Sequence, residues 1–99
     1  MASKWRDWTL NKTNACLEYT DPTVGSMIYQ VPIDEMVSSA SILDWIFQIQ
    51  EKTWASSAVV GDFVEAVVDI LGRSVAAFGI DHPIDSKKIL SSKYGINFP

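Results

Sequence analysis

AVVGDFVEAVVDILG, residues 58–72, decides the fold of this chain. At about 100° per residue, Val59, Val60, Phe63, Val64, Ala66, Val67, Val68, Ile70 and Leu71 cover roughly half of a helical wheel. Gly61, Asp62, Glu65 and Asp69 share the remainder. This is an amphipathic helix with a wide apolar face, expected to be the most buried element, with Val64 and Val67 both in the core. Ser56 or Ser57 can cap its start by accepting from a first-turn amide. Gly72 suits its end through a left-handed residue, and Arg73 through a cation near the last carbonyls.

Immediately upstream, residues 40–52 repeat the pattern. Ile42, Leu43, Trp45, Ile46, Phe47 and Ile49 form a broad apolar arc, opposed by Asp44, Gln48, Glu51 and Lys52. Ser39 or Ser41 is the expected cap. Gln50 projects into the apolar arc, where an amide needs a hydrogen-bonding partner or an edge position. The link over residues 53–57 is short, so the two helices should form an antiparallel or steeply crossed hairpin with Trp54 plugging the corner.

Further upstream the periodicity changes from 3.6 to 2. Trp8 and Leu10 share one side of a first strand, residues 11–14 (NKTN) read as a turn, and residues 15–20 read as a second strand with Leu17 and Tyr19 on the same side. After a loop at residues 21–25, Met27, Tyr29, Val31 and Ile33 alternate along a third strand, giving it an apolar face, and Pro32 belongs at a strand end or edge. Residues 34–41 are a polar hinge into the helices. Downstream of Gly72, residues 74–78 either resume the helix after a break or form a separate turn. Asp85 can then cap a short helix over residues 86–94, stopped by Gly95, with Ile96 and Phe98 tucked against the body.

The expected architecture is α+β: an N-terminal antiparallel sheet of two or three strands packed on a helical hairpin, plus a short C-terminal helix. Residues 1–99 form one compact domain, with residues 1–7 frayed except where Trp5 or Trp8 docks. A hydrophobic content of 47% with four Trp is ample for one core. No apolar run approaches the roughly 18 residues of a membrane span, and the MASKWRDW start lacks the apolar centre of a signal peptide, so no membrane association and a cytoplasmic location are expected.

Charge narrows the partners. Between residues 18 and 72 nine acids face a single base, Lys52, whereas both ends are basic. An acidic middle repels phosphates, which makes nucleic acid an unfavourable partner and a basic protein surface a favourable one. The aromatic residues point the same way, since Trp is enriched where proteins meet. Trp5, Trp8 and Trp54 lie outside the best helices and are candidates for a partner-binding surface, together with Asp62, Glu65 and Asp69 on the polar side of the central helix.

Catalytic signals are sparse. No P-loop, GxGxxG, HExxH or GxSxG occurs, and one His with one Cys cannot supply an ordinary transition-metal cage, so no metal and no cofactor are expected. Cys16, in the second strand, reads as a small buried hydrophobe. A Cys16–His82 nucleophile pair is formally available but lacks any orienting group or oxyanion donor. The functional expectation is a small non-enzymatic protein-interaction module, a regulator or inhibitor that binds a protein partner or self-associates through apolar, aromatic and acidic surfaces. The competing expectation is a ligand-binding protein or enzyme with a pocket between sheet and helices.

Overall fold

The computed structural model describes residues 5–72 and 84–98. Residues 74–78 and His82 lie outside them. Three antiparallel strands, β1 (Trp8–Asn11), β2 (Cys16–Asp21) and β3 (Ser26–Pro32), form a sheet in the order β1-β2-β3. A 3-10 turn at Ile33–Glu35 leads to α1 (Ser39–Gln50), α2 (Ser57–Leu71) and, further on, α3 (Ser86–Tyr94). The helices α1 and α2 make a hairpin-like pair, so the architecture is α+β.

The strand register explains why the sheet has one apolar face. Trp8 pairs with Tyr19 and Tyr19 with Tyr29, while Leu10 pairs with Leu17 and Leu17 with Val31. Directly paired residues share a face, so these two rows stand side by side against the helices. On the other face the Glu18 carboxylate accepts from Asn11 Nδ2 at 3.0 Å and from Gln30 Nε2 at 2.8 Å, joining all three strands. Both hairpin loops are built alike. Asn11 and Asp21 each accept the amide two residues on (2.9 and 2.8 Å), and each loop closes on a left-handed residue, Ala15 (φ 55) and Gly25 (φ 79).

Met27 is not on the apolar face. The ladder slips beside Tyr19, so that Tyr29 opposes Tyr19 but Met27, skipping Ile28, opposes Thr20. The extra residue is a β-bulge, which moves Met27 to the outer face shared by Thr20. Met27 and Ile28 are exposed. Cys16 is half-buried rather than a core residue, because it alternates with Leu17 and so leaves the inner face; Ala15, in its left-handed corner, is buried instead.

The helix ends follow local chemistry. Ser38, one residue earlier than expected, caps α1 by accepting from the Ser41 amide at 3.3 Å. Ser56 caps α2 through the Val59 amide, Asp85 caps α3 through the Lys88 amide, and Gly95 ends α3 in the left-handed region. Gly72 takes φ 100 and donates its amide to the Val68 carbonyl. Among the described residues a cation at that end of α2 comes from α3, where Lys93 Nζ donates to the Asp69 and Ile70 carbonyls; Arg73 lies outside the described residues.

The core lies between the inner sheet face and α2, which contributes Phe63, Ala66, Val67, Ile70 and Leu71. Val64 does not join them; it is 37% exposed, on the flank of the helix. From α1 only Ile42 and Ile49 are buried, and Gln50 is exposed, so it needs no buried partner. Leu90, Ile84 and Ile96 close the far end, where Ser86 donates to the Asp34 carbonyl at 2.8 Å and anchors α3 on the 3-10 turn.

Candidate functional site

The tryptophans are mostly structural. Rings run unbroken from helix to sheet to helix: Phe63 against Trp8 (5.1 Å), Trp8 against Tyr19 (5.3 Å), Tyr19 stacked on Trp54 (4.5 Å), Trp54 on Tyr29 (5.3 Å), and Tyr29 edge-on to Trp45 (6.4 Å). Each such pair contributes about 0.5–1.5 kcal/mol beyond its buried area. Trp8 has no accessible surface and donates its indole N–H to the Val59 carbonyl at 3.1 Å, which removes it from any contact surface. Trp54, in the α1–α2 link, is half-buried and packs on the end of the sheet.

The acidic side of α2 is largely occupied by the chain's own N-terminal segment. Trp5 donates to Asp69 Oδ2 at 2.9 Å, and Arg6 Nε lies 3.4 Å from Asp62 Oδ2. Residues 5–7 are held here: Arg6 turns the backbone through φ 58, and the Asp7 carbonyl accepts the Thr20 amide at 2.9 Å. Of the three helix carboxylates only Glu65 is on the exposed side.

Docking that segment creates a cleft of about 450 Å³ at the head of α2, bounded by the β2–β3 turn and the α1–α2 link. Arg6, Asp7, Tyr19, Asp21, Trp54 and Asp62 line it. Its volume falls in the range of small-molecule sites. Asp62 and Arg6 neutralise one another, which leaves Asp7 and Asp21. Asp21 spends one oxygen on the Thr23 amide; among the described residues the Asp7 carboxylate has no hydrogen-bond partner. Burial pushes the Tyr19 phenol upward, and the Asp7 and Asp21 charges push it further in the same direction. A second cleft, of about 480 Å³, lies between the helices beside Gln50, Ala55, Val60 and Gly61 and carries no charged side chain.

Of the residues singled out in the sequence, the structure brings Trp54 and Asp62 to one cleft and places Trp5 with Asp69. Glu65 stands apart. Asp7, Tyr19 and Asp21 were missed as a group, because one lies before a strand, one within a strand and one at its end; the sequence marked Tyr19 only as an inward strand residue and Asp21 only as the start of a loop. Among the described residues nothing activates the Cys16 thiol, and His82 lies outside them. Burial raises the thiol above the ordinary range, and Asp34, Glu18 and Glu35 add to the rise, so it is held protonated. Among the described residues no three His, Cys, Asp or Glu side chains gather as a metal site, and no helix is long and apolar enough to cross a membrane. Comparison with family models, curated proteins and solved structures finds no match.

Proposed function

We propose that this protein is a small non-enzymatic protein-interaction module that docks on a partner through the outward face of α1. The observation that carries this reading is the exposure of Leu43 (40%) and Phe47 (61%), one helical turn apart on the side of α1 turned away from Ile42 and Ile49. Apolar side chains at i and i+4 on an accessible helix are the anchors by which a helix enters a hydrophobic groove. Asp44 and Glu51 are exposed on the flank of the same face. Two copies brought together there would oppose carboxylate to carboxylate. A partner with an apolar groove rimmed by Lys or Arg is the complementary surface, and the acidic middle of the chain steers such an encounter.

The test is differential capture from the native host with the wild-type protein, Phe47→Asp and, as an equally polar change elsewhere, Val24→Asp. A protein retained by wild type and Val24→Asp but lost by Phe47→Asp is then purified and titrated. Binding weakened by about tenfold or more in Phe47→Asp, and weakened by added salt, supports the reading. Retention of the same proteins by all three baits overturns it. Sedimentation equilibrium at micromolar concentration checks the remaining occupant: a Phe47-dependent dimer assigns the face to a second copy instead.

A further inference from the structure

A different part of the molecule, independent of α1, carries a second binding surface. Tyr19 is 97% buried by its 3% exposure, yet among the described residues its hydroxyl has no hydrogen-bond partner. No fully buried side-chain oxygen or nitrogen among them lacks a partner, so the Tyr19 hydroxyl keeps some accessible surface, and Tyr19 lines the cleft. A phenol oxygen in this position has little access to water and is open to a donor that enters the cleft. Two half-buried carboxylates, Asp7 and Asp21, line the same space, and each retains accepting oxygens.

We propose that the cleft at the head of α2 binds a guanidinium group, held between the Asp7 and Asp21 carboxylates and the Tyr19 hydroxyl oxygen. Three acceptors around one space call for a ligand with several donors. A guanidinium offers five N–H groups in a plane, is weakly hydrated, and so loses less on leaving water than an ammonium ion does. The wall it meets includes Trp54, stacked on Tyr19 at an interplanar angle of 14°, which matches a flat cation better than a tetrahedral one. An anion would be drawn to the amino end of α2. There, however, Ser56 already accepts the Val59 amide, and the lining carries Asp7, Asp21 and Asp62 against Arg6 alone.

The experiment titrates the whole protein with ethylguanidinium, ethylammonium and acetate while amide and indole resonances are followed by NMR. Saturable shifts confined to the surroundings of Asp7, Tyr19, Asp21 and Trp54, larger and at lower concentration for ethylguanidinium, are expected. Asp7→Asn and Asp21→Asn should each weaken binding by about tenfold, the low end for loss of a hydrogen bond to a charged group. Asn at position 21 keeps the oxygen that accepts the Thr23 amide, so the turn survives; Tyr19→Phe keeps the ring stack and tests the hydroxyl alone. Unsaturable shifts, equal response to ethylammonium, or identical binding by both Asn variants with unchanged spectra elsewhere would overturn the proposal. Agmatine and a capped arginine peptide separate the source: tighter binding of the peptide assigns the group to a protein's arginine, tighter binding of agmatine to a free guanidino compound.

Discussion

The helices α1 and α2 are similarly apolar in sequence and differ in what covers them. Packed against α2 are Trp8 from the sheet, Trp5 from the N-terminal segment and Lys93 from α3, and five of its residues are buried. Among the described residues α1 meets Tyr29 of the sheet through Trp45 and the flank of α2, and two of its residues are buried. A three-stranded sheet has one inner face, and the first helix to fill it leaves the other with surplus apolar surface. A helical wheel therefore measures how much apolar surface an element offers, whereas burial depends on how much surface the rest of the chain has left to meet it.

The widest contrast this comparison predicts lies within α2. Val67→Asp puts a carboxylate where 1% of the surface is accessible and should abolish cooperative thermal unfolding; Val64→Asp, at 37%, should leave a folded protein melting a few degrees lower. Equal outcomes for the two would mean that the flank of α2 is covered in solution. Across the helices, Ile49→Ala should cost about 2–5 kcal/mol by denaturant titration, and Phe47→Ser should stay within about 0.5 kcal/mol of wild type. A large loss at Phe47 would show that α1 has a covered outer face after all.

Smaller effects sharpen the contrast. Lys93→Met removes a cation from the carbonyl end of α2 and should cost about 0.3–1 kcal/mol, diminishing in high salt. The smallest effect is alkaline. Tyr19, in the row beside α2, and Tyr29, beside α1, both have raised phenol pKa values. Burial acts on each, and on Tyr19 the Asp7 and Asp21 charges act in addition. Raised folded-state values mean that these groups' stabilisation is intact below the unfolded phenol pKa of about 10 and is lost as pH climbs through the folded values. Tyr19→Phe should therefore lose less stability than wild type between neutral and strongly alkaline pH, in melts compared at matched ionic strength. An unchanged alkaline slope in that variant would show that neither burial nor the two carboxylates raise the Tyr19 phenol in the folded state.

Much of the fold was legible because its causes are local. The caps at Ser56 and Asp85, the stops at Gly72 and Gly95, the turn at residues 11–14 and the inward row of Trp8, Leu10, Leu17 and Tyr19 each depend on residues within a few positions of one another. The candidate sites were less legible. Trp8 reads both as part of that inward row and as a contact candidate, because the ring that covers it from the helix side, Phe63, is remote in sequence. Asp69 looked free because Trp5 is 64 positions away.

Amphipathic period and turn chemistry, which act within one or two turns of chain, were enough for the sequence by itself to determine an antiparallel sheet followed by a helical pair and a short last helix. Tertiary structure alone decided which apolar faces are covered, where the bulge at Ile28 turns Met27 outward, and that Asp7, Tyr19 and Asp21 meet at one cleft. These outcomes depend on distances between elements that are far apart along the chain. Such distances are settled by competition for a limited core and by the direction in which each element leaves its turn, and neither quantity is written at any single position.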